Sequence, residues 1–246
     1  MGKIRSGIGG WNFDPWRGAF YPPEVRKKDE LAYAASKLTA IEINSTYYGS
    51  QKPATFANWA VAAPDGFKFA AKASRFCTNR RVLAEAGESV ERFCNQGIAE
   101  LGEKLGPILW QFAPTKQFDA VDMAAFVALL PGQVAGVPLR HAFEVRHESF
   151  RDPAFTALMK KANAAIVYAD HPEYPCIDEE TADFAYARLM KTEETVETGY
   201  PAKALDGWAA EATRWAGRGD AYVFFISGAK VRNPAAAMAL IERLPA

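Results

Sequence analysis

The chain has 246 residues, 49% of them hydrophobic and 24% charged, which places it among ordinary globular proteins and excludes the disordered and fibrous classes. Its 29 basic residues cancel its 29 acidic ones, so no global field draws it to nucleic acid or to an anionic membrane, and such binding would need a local patch. No segment approaches the roughly 20 apolar residues that span a bilayer, Arg5, Gly7, Gly9 and Gly10 interrupt any signal-like run, and the scattered Cys77, Cys94 and Cys176 suit a reducing cytoplasm better than a disulfide framework.

Residues 4–8 read as a strand ending in Gly9-Gly10. An aromatic loop follows with Trp11, Phe13, Trp16, Phe20 and Tyr21, rings expected to cap a core end rather than stack on a ligand. Residues 29–38 carry Leu31, Ala34, Ala35 and Leu38 at helical spacing. Residues 40–48 read as a second strand, with Glu42, Asn44 and Thr46 opposite Ile41 and Ile43. Pro53 opens a short helix, and residues 67–72 form a third strand that puts Lys68, Ala70 and Lys72 on one face. The basic loop 74–81 leads into a helix over 88–104, and residues 107–112 form strand four with Gln111 on the Leu109 face.

After an amphipathic helix over 119–130, the stretch 141–150 forms a fifth strand. It sets Ala142, Glu144 and Arg146 on one face and Phe143 and Val145 on the other. Asp152-Pro153 starts the next helix, residues 165–170 form a sixth strand ending in an acid, and Tyr186 and Arg188 share a face of a seventh over 184–189. A helix over 203–216, an eighth strand over 221–226 and a helix opened by Asn233-Pro234 complete the chain. Strands alternating with helices across residues 1–246, without a linker-like break, predict an α/β protein formed by a single (β/α)8, TIM-barrel-like domain. An open doubly wound sheet is the rival, but its strands should be apolar on both faces, and these are not.

In a barrel the strand ends converge on one mouth. Here they supply Glu42, Asn44, Lys72, Gln111, Glu144, Arg146, His147, Asp170 and Arg188. Glu42, Glu144 and Asp170 balance Lys72, Arg146 and Arg188, so the set reads either as a salt-bridged plug or as a site; buried ion pairs are a poor source of stability, which favours the site. As a site, Glu144 or Glu42 is the general acid or base, and Lys72 is a charge partner, a base or a Schiff-base amine. Arg146 and Arg188 clamp a carboxylate or phosphate. Asn44, Gln111, His147, Asp170, Trp11 and Tyr48 are further substrate-binding candidates. No redox cofactor is expected. A divalent metal on Glu42, Glu144, His147 and Asp170 is chemically open but lacks H-x-H or H-E-x-x-H spacing. His141 and His171 read as a strand-start and a loop residue. Loop 227–234, with Gly228, Lys230 and Arg232, reads equally as an anion site or a solvated turn, and loop 74–81 as a polyanion contact or a solvated face.

The chain also resembles the DUF72 (domain of unknown function 72, or YecE-like) family. The resemblance rests on Gly10-Trp11 with Trp16, Phe20-Tyr21-Pro22, Glu42 through Tyr48, Phe67-Lys68-Phe69 with Lys72, Leu109 through Phe112, and Glu144 through His147. It implies a (β/α)8-like barrel and supplies no reaction. Three positions depart from the family pattern: Thr78-Asn79 where the family has Thr-His, Met190-Lys191 where it has His-Gly, and Ile226-Ser227 where it has Asn-Asn. The resulting expectation is an enzyme using acid–base chemistry on a small phosphate- or carboxylate-bearing substrate. The alternative is a non-catalytic anion- or nucleic-acid-binding module whose charged mouth is partly structural.

Overall fold

Short runs in which apolar residues alternate with small or polar ones lie extended and pair in parallel. The computed structural model describes residues 1–245. In chain order its main elements are β1 (Ile4–Gly9), α1 (Glu30–Lys37), β2 (Ala40–Ile43), α2 (Pro53–Ala62), β3 (Lys68–Lys72), α3 (Gly87–Cys94), β4 (Leu105–Gln111) and α4 (Ala120–Ala128). Then come β5 (His141–Glu144), α5 (Pro153–Lys161), β6 in two pieces (Ala165–Ile166 and Tyr168–Asp170), β7 (Ala185–Leu189), α6 (Ala202–Ala216), β8 (Ala221–Phe225) and α7 (Asn233–Ile241). Proline opens α2, α5 and α7, where its missing N–H costs nothing. Asp119 and Asp152 cap α4 and α5 by accepting from Asp122 N and Ala154 N.

The parallel ladder runs from the first piece of β6 through β5, β4, β3, β2, β1, β8 and β7 to the second piece of β6. Its two ends are separated in the chain only by Val167, so the ring closes through β6 apart from that interruption. Val167 N still donates to Phe143 O at 3.0 Å on one side, and Met190 N to Asp170 O at 3.1 Å on the other. The barrel predicted from the polar parity is therefore the observed architecture.

Alternation sorts the strand residues into two layers. Ile41, Ile43, Phe69, Trp110, Phe143, Val223 and Phe225 face outward into the core beneath the helices. Ala40, Ala70, Leu109, Ala142, Ala169 and Phe224 fill the interior. β1 contributes glycines to that interior: a Cβ on Gly7 would lie 1.9 Å from Ala40 O, so only glycine lets β1 and β2 approach as they do. Register pairs Gly9 with Glu42 and Gln111 with Glu144, and places Arg188 between Ala169 and Phe224. Arg188 crosses the barrel from there to reach both Glu42 and Glu144.

Several boundaries differ from the sequence reading. β2 stops at Ile43, and Ser45–Tyr48 is a single helical turn, so Thr46 and Tyr48 leave the inward row, while Asn44 stays beside Gly9. Thr46 instead donates its hydroxyl toward Lys72 O at 2.7 Å, tying the turn to β3. The helix expected over 88–104 ends at Cys94, because Gly97 turns the chain with φ 117°. A Cβ there would meet Pro53 Cα at 2.6 Å, and a tighter helical run, Ile98–Lys104, follows. Strand five ends at Glu144, and His147 caps the turn Glu148–Arg151. Among the described residues no helix is long and apolar enough to cross a membrane.

Candidate functional site at the barrel mouth

The inward rows end in polar side chains at the C-terminal end of the barrel: Glu42 from β2, Lys72 from β3, Gln111 from β4, Glu144 from β5, and Tyr186 and Arg188 from β7. Glu42 and Glu144 are 0% exposed and Arg188 only 2%, so their charges have no access to bulk water and must be satisfied by one another.

Arg188 supplies most of that satisfaction. Its Nε and Nη2 reach Glu42 Oε2 and Oε1, each at 3.1 Å, a two-pronged grip, while its Nη1 donates to Glu144 Oε2. Tyr186 donates its hydroxyl to Glu42 Oε2 at 2.8 Å. Glu144 Oε1 accepts from Arg146 Nε at 2.6 Å and from Gln111 Nε2 at 3.0 Å. One guanidinium thus bridges two carboxylates from opposite parts of the barrel, and both acids are saturated with donors.

The electrostatics follow. Burial alone would raise the Glu144 pKa, but Arg188, Arg146 and the Arg146 hydrogen bond outweigh it and hold the carboxyl at about 2. Burial disfavours the Arg188 charge, yet Glu144 and Glu42 overcome this and raise its pKa. Burial and the Glu42 charge push the Tyr186 phenol well up, which keeps it a donor.

Two acids against two arginines leave the Lys72 ammonium as the surplus charge. Among the described residues no carboxylate lies within ion-pair distance of its Nζ, although both acids are near enough to be felt. The Tyr47 ring covers Nζ, its centroid 4.2 Å away. Burial first, then Arg188, lower its pKa; Glu42 and Glu144 oppose this and Arg146 adds to it, for a value of about 8. An amine poised near neutrality at a barrel mouth has the properties of a proton-transfer group.

Arg146 forms one wall. Its guanidinium stands 4.5 Å from the Tyr174 ring centroid, and His171 stacks on the other partner of that wall, 3.9 Å from Tyr174 between centroids. The structure thus brings together Glu42, Lys72, Gln111, Glu144, Arg146 and Arg188. Asp170 is not among them: its parity turns it outward, where Lys191 Nζ pairs with it at 2.6 Å. His147 is tied to Ser149, whose Oγ lies 2.9 Å from Nδ1. Asn44 lies next to the cluster, where its Nδ2 would be 2.8 Å from a Cβ on Gly9. Trp11 packs edge-on against Trp59 at 5.2 Å, and Tyr48 is 68% exposed, so neither ring enters the cluster. Glu42, Glu144, His147 and Asp170 consequently do not converge, and among the described residues no group of three His, Cys, Asp or Glu side chains is arranged to hold a metal ion.

Tyr47, Tyr174 and Tyr186 were missed as site residues. Tyr186 was recoverable from its shared face with Arg188, whereas Tyr47 and Tyr174 lie in a turn and a loop that carry no periodicity. Loop 227–234 is tied to neighbouring segments: Ala229 N donates to Thr192 O at 2.9 Å, and Lys230 Nζ sits 4.2 Å from the Phe13 ring centroid. Of the three departures from the family pattern, Asn79 donates to Tyr47 OH at 3.0 Å, Met190 is buried in the interior layer, and Ser227 takes a left-handed φ of 62°.

The chain belongs to the DUF72 family, described as proteins of unknown function, whose sequence model covers residues 5–246. No curated protein matches it by sequence. Among solved structures, a DUF72 family protein from Enterococcus faecalis V583 superposes with a TM-score of 0.78 at 19% identity, covering 98% of this chain and 95% of its own. A DUF72 family protein from Thermotoga maritima MSB8 gives 0.76 at 22% identity, covering 97% of each chain. A xylose isomerase-like TIM barrel/4-hydroxyphenylpyruvate dioxygenase fusion protein gives 0.54 at 13% identity, over 96% of this chain and 42% of that one. At these identities the likeness bears on the fold alone, a TIM barrel.

Proposed function

We propose that this DUF72 family member is an enzyme that performs acid–base chemistry on a small anionic substrate, bearing phosphate or carboxylate, at the C-terminal mouth of the barrel. The observation that carries the reading is Lys72: a buried amine with a pKa near 8, no carboxylate partner of its own, and two acids beside it already committed to arginines. An anion entering the mouth supplies the counter-charge that Lys72 lacks, and the outer Arg146 offers it a guanidinium edge. In this reading Lys72 moves the proton. Glu144, ionised down to about pH 2 and held by Arg146, Arg188 and Gln111, serves as an anchor rather than as the acid or base. Glu42 and Tyr186 fix Arg188 from the other side. A reducing compartment suits the chain, whose Cys77, Cys94 and Cys176 are all free thiols.

The test is a thermal-shift screen of small phosphates and carboxylates, followed by turnover assays of the hits. The reading expects a ligand whose binding weakens at least tenfold in Arg146→Ala, and a turnover whose pH profile has a limb near 8 that Lys72→Arg moves upward. Hits that bind equally to both variants would overturn it. The saturation of both carboxylates favours one second reading, a non-catalytic anion-binding barrel with a structural inner cluster. Binding that depends on Arg146 and Lys72 without any turnover would support that reading instead.

A further inference from the structure

The loops that follow β3 and β4 enclose a cavity of about 590 Å³, separate from the ion-pair cluster of the mouth. Thr78, Asn79, Arg80, Arg81, Lys116 and Gln117 line it, and no carboxylate does. Among the described residues neither arginine has an acid within ion-pair distance. Lys116 is the exception, neutralised by Asp122 at 2.8 Å. The loop therefore brings two uncompensated guanidinium groups to one concave surface, which no structural ion pair explains.

A second observation points to the same cavity. Three buried side-chain polar atoms among the described residues have no hydrogen-bond partner: Arg5 Nε, Thr78 Oγ1 and Arg80 Nε. Two of these three belong to residues lining this one cavity. Thr78 is only 1% exposed, so its hydroxyl has no water to fall back on. Buried donors left unmade are costly, and their pairing around an acid-free basic cavity is the arrangement that an oxyanion completes. Arg80 is held in place by Nη1 donating to Glu85 O, which leaves Nε as the free edge. The cavity also abuts the mouth, since Asn79 on its wall donates to Tyr47 OH and the Tyr47 ring covers Lys72.

We propose that these loops form a second anion site, distinct from the mouth, that takes the phosphate group of a small phosphorylated metabolite through Arg80, Arg81 and the Thr78 hydroxyl. A phosphate offers several acceptor oxygens to a guanidinium fork and a hydroxyl at once, and its double charge matches the two free arginines. The volume leaves room for the organic remainder of the ligand.

Calorimetric titration of the full chain with inorganic phosphate tests this, with acetate and a short oligothymidylate as comparison arms. Phosphate should bind the native chain at least tenfold more tightly than acetate. Arg81→Ala, a change at an exposed side chain that leaves the fold alone, should weaken phosphate at this site at least tenfold and Thr78→Val severalfold, while Lys72→Met should leave the Arg81-dependent phosphate binding unchanged. Loss of phosphate binding in Lys72→Met but not in Arg81→Ala would place the anion in the mouth and overturn the proposal. Undiminished affinity in both Arg81→Ala and Thr78→Val would overturn it as well. An oligothymidylate that binds tenfold more tightly than phosphate, and is lost in the same variants, would replace the metabolite with a nucleic acid strand. Because Lys72→Met leaves this site intact, failure here and failure of the mouth reading give different results.

Discussion

Arg188 grips Glu42 along one edge, with two contacts of 3.1 Å, while its remaining nitrogen donates to Glu144. All three groups are buried, so removing the guanidinium takes the ionic partner from Glu42 and one of two from Glu144 at once. Breaking a buried pair by deleting one partner costs about 3–5 kcal/mol. Arg188→Met is expected to fall in or above that range in urea denaturation, and Glu42→Gln added to it should recover part of the loss. A penalty below about 1 kcal/mol would contradict the arrangement.

Glu144 makes the fold sensitive to acid. Its carboxyl titrates at about 2 in the folded chain against an ordinary 4.5, so the contribution is fully present above pH 4.5 and is lost as pH falls toward 2. The size is on the order of 3 kcal/mol. Denaturation series between those limits should show native stability dropping with acid, and a visibly shallower drop in Glu144→Gln. Identical slopes would mean that Glu144 is not held ionised by Arg188 and Arg146.

Gly9 sits opposite Glu42 where the inner row meets the mouth. A Cβ there would lie 2.7 Å from Ile226 Cδ1 and 2.8 Å from Asn44 Nδ2, both side-chain ends that can move. Gly9→Ala should fold with a loss of about 1–3 kcal/mol, typical of overpacking, while weakening any mouth ligand. Gly7→Ala should fail to fold, because its Cβ would strike the backbone of Ala40. Soluble expression and circular dichroism distinguish the two; a well-folded Gly7→Ala would contradict the β1–β2 contact.

Thr78 buries a hydroxyl without a partner. Replacing it by the isosteric Val removes an unmet polar group, so Thr78→Val should raise the stability of the ligand-free chain by about 1 kcal/mol. A clear fall in melting temperature would show that the hydroxyl is satisfied after all.

The barrel was legible because a parallel strand that closes on itself keeps one face for the helices and one for the interior, and the charged parity of Glu42, Lys72, Glu144 and Arg188 exposed that second face. What failed was the extrapolation of parity past strand ends. Asn44 and Tyr48 were counted as strand, yet the chain turns helical at Ser45, and Asp170 falls on the outward side of a strand interrupted at Val167. Trp11 shares this limit, since a loop has no period from which to read its direction. The pairing pattern was also out of reach. Charge balance suggested three acids against three cations, but which cation is left over depends on Arg188 crossing the barrel to reach both Glu42 and Glu144. That is a matter of packing, and it is what turns Lys72 from one charge among six into the unpaired amine.

Whether Lys72 moves the proton at the mouth is decided by its own titration. Isotope-edited NMR of the lysine side chains, with Lys72 assigned by its absence in Lys72→Met, gives the midpoint of the Nζ group. The expected midpoint is about 8, shifting upward when an anion fills the mouth. A midpoint at the ordinary 10.5 would contradict it, because an amine that stays protonated throughout the neutral range offers almost no free base to take up a proton there.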